Sequence, residues 1–347
     1  MKVMVVAACP FPAGRGSQLL VERTTLGLIR RGHDVEVVVP RFGDRARPDP
    51  FPLRRTGLPQ LGRGIDSQPG FRRALDDAFL LAEALRHRPD VILGHNVEGG
   101  LVADLAARVL GVPSVYVRHS TFAKELAMTA RSALLASRIG GRAERWAERL
   151  ARSVVELTPH PRNGLTPKTE VIPPPLDPAE PRVEPGDGRT LYYEGNRDLY
   201  QNPAWLDAAH DAARGFDPRV RLRVGRSPRD RPARADLALV PRSLPGGFPM
   251  KLLAYQVAGI PAVCVESGAP GMVDGEDAFV VPGAGSPRAF AQRVLEALAD
   301  EPARRRVRER ARRRALARND PERVSRLLEL VLVRACVEED RSPPYIR

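Results

Sequence analysis

The sequence predicts an α/β protein made of two doubly wound parallel-sheet domains in tandem. Three observations lead there. The chain has 347 residues, more than one hydrophobic core usually supports. Short Val-rich runs alternate with segments of helical spacing in both halves. A proline-dense break separates those halves. Strands that are apolar along their whole length are buried on both faces, the pattern of a parallel sheet covered by helices.

Residues 2–8 form an apolar run too short for a helix, so the first strand lies there. Residues 17–31 set Leu19, Leu20, Thr24, Leu26, Leu28 and Ile29 at helical spacing and end at Gly32-His33. A second strand follows at 34–40. Helices over 71–88 and 98–110 then alternate with strands at 90–94 and 114–117. Residues 121–151 are helical and charged on one side, which predicts two helices joined near Gly140-Gly141, and 153–157 is one more strand.

From Thr158 to Gly188 prolines recur at positions 159, 161, 167, 173, 174, 175, 178, 181 and 185. They leave room only for a short strand at 170–172, and the stretch reads as a semi-rigid interdomain connection. Beyond it the alternation resumes. Strands are expected at 190–193, 220–224, 236–240, 262–265 and 278–281, with helices at 203–214, 249–258, 287–299, 302–317 and 322–337. Several of these helices open on proline, whose missing N–H costs nothing in a first turn. The expected partition is an N-terminal domain over 1–160, the connection over 161–188, a C-terminal domain over 189–318 and a last helical segment over 319–347. In such domains ligands sit outside the carboxyl ends of the strands.

Composition narrows the function classes. Apolar residues make up 43% of the chain and aromatic ones 5%, so the core rests on Val, Leu and Ala. The formal charge is +13, yet Lys2, Lys124, Lys168 and Lys251 are the only lysines. With 34 prolines, this arginine preference reads first as the bias of a GC-rich genome. A basic surface also attracts phosphorylated ligands, anionic lipids or nucleic acid. Nucleic acid is not expected as a partner, because no reading motif or aromatic stacking surface accompanies the arginines. The run Arg304, Arg305, Arg306, Arg308, Arg310, Arg312, Arg313 and Arg314, with Glu309 among them, reads as a solvated helix surface. Cys9, Cys264 and Cys336 lack metal-ligand spacing; Cys9 and Cys264 read as buried thiols suited to a reducing compartment. No apolar run approaches the ~20 residues of a membrane span, and no secretory signal pattern precedes the first strand. A cytoplasmic protein is expected, with any contact to an anionic membrane peripheral.

Two loops carry chemistry. The first strand runs into Cys9-Pro10-Phe11-Pro12-Ala13-Gly14-Arg15-Gly16-Ser17-Gln18. Gly14 and Gly16 permit close backbone approach to a ligand, Ser17 is placed to cap the following helix, and a helix start favours an anion. The third glycine of a dinucleotide fingerprint is replaced by Leu19, which argues against a nicotinamide cofactor. The stronger signal is Val240-Pro241-Arg242-Ser243-Leu244-Pro245-Gly246-Gly247-Phe248-Pro249-Met250-Lys251-Leu252-Leu253. A strand ends, a Gly-Gly turn comes next and Pro249 opens a helix, presenting backbone N–H groups to a phosphate. Lys251 adds a point charge in the first turn. His95, Asn96 and Glu98 come after the 90–94 strand and read as polar groups facing the ligand crevice, with Asn96 equally able to cap a helix. His119 stands alone at a strand end, where a structural role is as natural as a functional one.

Taken in order, these segments resemble family 4 of the retaining glycosyltransferases with the GT-B fold. The opening Gly14-Arg15-Gly16-Ser17-Gln18 loop and Arg31-Gly32-His33-Asp34-Val35 are similar to that family's start. Tyr193-Glu194-Gly195-Asn196-Arg197-Asp198-Leu199-Tyr200-Gln201-Asn202 resembles the loop opening its second domain. Residues 246–253 resemble its donor-site helix, Ala258-Gly259-Ile260-Pro261 the entry to its next strand, and Gly271-Met272-Val273-Asp274-Gly275 a common downstream turn. The resemblance implies two Rossmann-like domains facing a central cleft, with the last helix crossing back onto the first. It implies sugar transfer with retention from a nucleotide diphosphate sugar to an unknown glycan, lipid or small-molecule acceptor, with no cofactor and no required metal. Gly14, Gly16 and Ser17 would approach the donor diphosphate. Asn196, Arg197, Gly247, Phe248, Pro249, Met250 and Lys251 would bind its phosphates or sugar hydroxyls, and His119 would be the catalytic histidine near the sugar.

The resemblance has gaps. The family's two donor-site glutamates, eight positions apart, correspond to Gly246 and Ala254, and its cationic pair to the neutral Asn196 and Gln201, leaving Arg197 and Lys251 as substitutes. Two alternatives stay open for that reason: a catalytically weakened paralogue that binds a nucleotide or glycan, and a sugar-nucleotide epimerase using Glu98 and Glu125.

Overall fold

The computed structural model describes residues 1–44, 47–59, 71–129, 132–159, 168–195, 197–225, 230–244 and 247–339. Asn196 and Gly246 lie outside the described residues. The chain divides into two compact units. One holds Met1–Leu157 with 168–175 and 322–339; the other holds Leu176–Pro321 with 158–159.

The first unit is built on a seven-stranded sheet. Its strands are β1 (Lys2–Ala7), β2 (Asp34–Pro40), β3 (Leu53–Thr56), β4 (Val91–His95), β5 (Ser114–Arg118), β6 (Ser153–Glu156) and β7 (Thr169–Val171). They lie in the order β3-β2-β1-β4-β5-β6-β7, every pair parallel. Helices α1 (Gly16–Arg30), α2 (Phe71–Ala84), α3 (Asn96–Leu110), α4 (Phe122–Thr129) and α5 (Ala133–Leu150) connect them. Alternate side chains point to opposite faces. Met4, Val6, Val38 and Ile92 meet Leu80 and Ala84 of α2 and Ala103 and Ala106 of α3 on one face. On the other, Val117 and Val155 meet Leu20 and Thr24 of α1 together with Val324 and Leu328. Those last two belong to α10 (Pro321–Glu339), so the final helix packs on the first unit. Arg31 reaches Glu322 and Glu329 of α10, and His33 lies 2.9 Å from Glu329.

Two expectations need correction here, and one strand is new. The break in 121–151 falls between α4 and α5, and Gly140 and Gly141 are helical. Gly140 is small for a packing reason: a Cβ there would lie 2.7 Å from the Ala123 backbone, so the glycine lets α4 cross close over α5. Ser17 does not cap α1, whose N-cap residue is Arg15 without a side-chain cap bond. The edge strand β3 was not anticipated, because Leu53-Arg54-Arg55-Thr56 is half-buried and charged, as edge strands often are.

The second unit repeats the plan with β8 (Thr190–Glu194), β9 (Arg221–Gly225), β10 (Leu237–Val240), β11 (Ala262–Val265) and β12 (Phe279–Val281), ordered β12-β11-β10-β8-β9 and all parallel. Leu191, Tyr193, Leu237, Leu239 and Val263 pack with Leu206 and Ala209 of α6 (Pro203–Phe216) and with Phe290 and Val294 of α8 (Pro287–Ala299). Tyr192, Ala238, Val240 and Cys264 turn to Leu252, Tyr255 and Ala258 of α7 (Met250–Ala258).

The arginine run lies on α9 (Glu301–Arg318), and its reading as a solvated surface is corrected for three of its residues. Arg304 is buried and donates to the carbonyls of Ala297, at 2.8 Å, and Leu298. Arg308 donates to Val183 O at 2.8 Å and Ala235 O at 3.0 Å; Arg312 donates to Val257 O at 3.0 Å. A spacing of four brings these three onto one face, where they close carbonyls left open at helix and strand ends. Arg305, Arg306, Arg310 and Arg313 remain exposed.

Candidate functional site

In the first unit β1 lies between β2 and β4, so the sheet grows outward in both directions from its first strand. The loops after β1 and β4 therefore diverge, opening a crevice at the carboxyl edge. Phe11 anchors the β1 loop. Its ring stacks on Phe51 at 5.7 Å, its N–H donates to Phe42 O at 3.0 Å, and its carbonyl accepts from Arg55 at 2.8 Å. Beyond that anchor Gly14, Arg15 and Gly16 are exposed. A Cβ on Gly14 would meet the Arg47 guanidinium at 2.8 Å. Helix α1 thus starts in the open with no side-chain cap, the arrangement in which backbone N–H groups accept an anion.

Beside that loop, His95 ends β4, in register with Ala7 of β1 and Val117 of β5. His119 comes two residues after Val117, and the neighbouring strands bring the rings together. His95 Nδ1 and His119 Nε2 are 2.8 Å apart, edge to face at 85°. Both are buried. Burial pushes His95 down to about 3 and His119 well below the ordinary imidazole range, with repulsion from His95 a second cause for His119. Two neutral imidazoles sharing one proton leave one donor and one acceptor at their outer nitrogens. Those atoms, His95 Nε2 and His119 Nδ1, are buried without a hydrogen-bond partner among the described residues.

Asn96 opens α3 at φ +64, in the left-handed region, and the N-cap position belongs to His95; the capping role weighed for Asn96 is corrected. Glu98 is half-buried in the same first turn. Glycines explain how α3 comes this close. A Cβ on Gly99 would lie 2.8 Å from Val6 O, and one on Gly100 2.6 Å from the Tyr116 ring. The sequence reading missed Arg118, buried next to His119. It bonds Glu156 at 2.6 Å and also pairs with Glu148 of α5.

In the second unit the first strand, β8, is again flanked on both sides, by β9 and β10. The crevice lies between the loops after β8 and β10. Asn202, at φ +50, ties these loops through Nδ2 to Pro241 O at 2.8 Å and Ser243 Oγ at 2.9 Å. Gly247, at φ +71, turns the chain into α7, which starts after Pro249 without a side-chain cap. Phe248, Pro249 and Met250 are buried. Arg197 is exposed and pairs with Asp207 of α6 at 2.6 Å.

Lys251 is the centre of this crevice. Its Nζ donates to Tyr193 Oη at 3.1 Å and Gln201 Oε1 at 3.0 Å, and stands 4.2 Å over the Tyr193 ring. Gly195, at φ +123, leaves room for it, since a Cβ there would come within 3.0 Å of Nζ. Burial lowers the ammonium to about 7, against the attraction of Glu194 and with repulsion from Arg242. The Glu194 carboxylate is occupied by Arg231 at 2.7 Å and Tyr192 Oη at 3.1 Å. Gln201 was legible only as a missing cation; its use as the acceptor for Lys251 needed the fold. Among the described residues no three His, Cys, Asp or Glu side chains converge as a metal ion requires, and no helix is long and apolar enough to cross a membrane.

Residues 14–180 match the profile of Glycosyltransferase Family 4, and residues 181–300 match that of Glycosyl transferases group 1. No curated protein matches the chain. Among solved structures, sucrose-phosphate synthase from Thermosynechococcus elongatus is similar at TM-score 0.80 and 14% identity, over 97% of this chain and 100% of that one. HepE from Anabaena, in complex with UDP, is similar at TM-score 0.70 and 16% identity, over 96% and 100% of the two chains. WaaG, a glycosyltransferase involved in lipopolysaccharide biosynthesis, gives TM-score 0.65 and 17% identity over 93% and 99%. At these identities the likeness establishes the fold: two Rossmann-like domains of the GT-B type.

Proposed function

This chain belongs to the family 4 and group 1 glycosyltransferases, and on that premise we propose that it moves a sugar, with retention, from a nucleoside diphosphate donor whose leaving phosphates are met by Lys251. The observation that carries the reading is the position of the Lys251 ammonium. It sits at the open start of α7, in the switch-point crevice of the second unit, and Gln201 holds it. The family's cationic pair is replaced by Asn196 and Gln201, and the lost charge returns on a different element: Gln201 no longer supplies a cation but accepts one. HepE has been seen with UDP and with UDP-glucose, which supports a nucleotide sugar as the donor class.

Chemically, the demand is to stabilise charge developing on the departing diphosphate. Lys251, the backbone N–H groups at the start of α7 and the helix dipole meet it, without a metal ion. The open start of α1 with Gly14 and Gly16 offers a second anion-binding element, in the first unit. The outer nitrogens of His95 and His119 are one unpaired donor and one unpaired acceptor, but both are buried, so they meet a sugar or acceptor hydroxyl only if binding uncovers them. Glu98 and Asn96 take the acceptor side.

The test is release of nucleoside diphosphate from a panel of sugar nucleotides, with and without glycan and lipid acceptors. Lys251→Ala should slow turnover about 100-fold, the usual effect of removing one preorganised charge-stabilising donor. An unchanged rate would remove Lys251 from the mechanism. Recovery of an isomerised donor without acceptor would point to the epimerase instead, and donor binding without turnover to the weakened paralogue.

A further inference from the structure

Helix α5 turns an unusual surface to solvent. Leu134, Leu135, Ile139 and Trp146 are 66%, 58%, 51% and 63% exposed, whereas a helix packed on a sheet ordinarily hides its large apolar side chains. Leu135, Ile139 and Trp146 are spaced by four and seven residues and form one stripe along the helix. Arg138, Arg142, Arg145 and Arg149 have the same spacing one step round and form a parallel stripe beside it. All four are exposed, and none has an ion-pair partner among the described residues. The acidic residues of α5 point elsewhere. Glu144 accepts the Phe122 N–H at 2.5 Å, and Glu148 is taken by Arg118. The opposite side of the helix, Ala136, Gly140 and Ala147, is buried. Met128, on neighbouring α4, adds another exposed apolar side chain.

We propose that the outer face of α5 is a docking surface for an anionic lipid bilayer, lying in the plane of the interface with the Leu135–Ile139–Trp146 stripe in the acyl boundary and the arginine stripe on the lipid phosphates. Charge and chemistry select this occupant over the others. A second copy meeting the same face about a two-fold axis would set four arginines against four. A nucleic acid would meet the arginines but leave Leu135 and Ile139 against water. A bilayer with anionic headgroups satisfies both stripes at once, as interfacial amphipathic helices rich in Arg, Leu and Trp do. The exposed arginines of α9 lack an apolar companion stripe, and three arginines on that helix are spent on internal carbonyls.

The experiment uses the full chain with vesicles of two parts phosphatidylcholine to one part phosphatidylglycerol, beside vesicles of phosphatidylcholine alone. Sedimentation should show salt-sensitive binding to the anionic vesicles only. Combining Arg138→Gln, Arg142→Gln, Arg145→Gln and Arg149→Gln should weaken it by roughly fivefold per arginine. Leu135→Ser with Ile139→Ser should weaken it at least tenfold, and Arg305→Gln with Arg306→Gln and Arg313→Gln should leave it unchanged. A measurement on the unaltered chain guards against misfolded variants. Of the two tryptophans, Trp205 is partly buried in the core of the second unit, so lipids brominated in the acyl chain should quench Trp146 emission. No binding, binding insensitive to the α5 substitutions, loss through the α9 substitutions, or unquenched tryptophan would each overturn the proposal. So would a dimer that Leu135→Ser and Ile139→Ser convert to monomer.

Discussion

If burial holds Lys251 near 7, donor binding must be coupled to a proton. The perturbation is pH. An exposed lysine titrates at about 10.4, so at pH 8 it would already be charged. With a value of about 7, roughly nine-tenths of the free protein carries neutral Lys251 at pH 8, about half at pH 7 and a tenth at pH 6. A diphosphate brought beside the amine favours the ammonium and raises its pKa. The bound state therefore holds more protons than the free state. Affinity is accordingly full below pH 7 and falls as pH rises through the free-state value, about tenfold per unit until the bound-state value is reached. Of the groups acting on Lys251, Arg242 stays cationic and burial pushes the Tyr193 hydroxyl up and out of range. Burial also raises the Glu194 carboxyl, against the hydrogen bond from Tyr192 and the attraction of Lys251, and Arg231 lies 2.7 Å from it. UDP-glucose is the probe of choice because its diphosphate does not titrate between pH 6 and pH 9 (a range set by the ~7 of the amine). Calorimetry at pH 8 in two buffers of different ionisation enthalpy should show uptake of about 0.9 proton per donor bound. Lys251→Arg, permanently charged, should abolish the uptake while retaining binding. Heats that do not depend on the buffer at pH 8 would refute the reasoning, because they would mean Lys251 is already an ammonium in the free protein.

Two further outcomes are expected from the packing. Of the six histidines, His95 and His119 should stay neutral from pH 8 to pH 5, visible by NMR of labelled imidazoles as two rings that do not titrate; six ordinary midpoints near 6.5 would contradict the burial argument. Arg308→Ala should lower unfolding free energy by about 1–3 kcal/mol, since it strands the carbonyls of Val183 and Ala235, whereas Arg306→Ala on the exposed side of α9 should change it by under about 0.5 kcal/mol; equal effects in denaturant titrations would refute the division of that helix into two faces.

Much of the fold could be read directly, because a buried parallel strand leaves an unbroken apolar run and because glycine and proline punctuate the connections. What escaped were features whose cause is tertiary. Gly140 looks like a helix breaker in isolation, but its smallness serves a crossing with α4 that no local pattern reveals. Strand β3 carries two arginines and only becomes a strand because β2 offers it an edge. Arg304, Arg308 and Arg312 look like surface charge until the carbonyls they serve, up to 125 positions away, are brought beneath them. The same limit applied at the site. Lys251 stood out as a lone lysine after a Gly-Gly turn, but its partners Tyr193 and Gln201 come from another strand and loop. The histidine pair required the register of β4 on β5.

The return of α10 has a consequence for how the molecule assembles. Since the first unit is closed only by 322–339, the second unit is an insertion within it rather than an appendage. Its two ends are stitched together, Leu176 N–H donating to Asn319 O at 2.9 Å. While the insert is unfolded, docking α10 on α1 must close a loop of roughly 150 residues, an entropic penalty on the order of 4 kcal/mol. Once the insert has folded, its stitched ends shorten that loop to almost nothing. Order in the second unit is thereby converted into stability of the first, and damage to the inserted core should loosen a helix that belongs to the other unit.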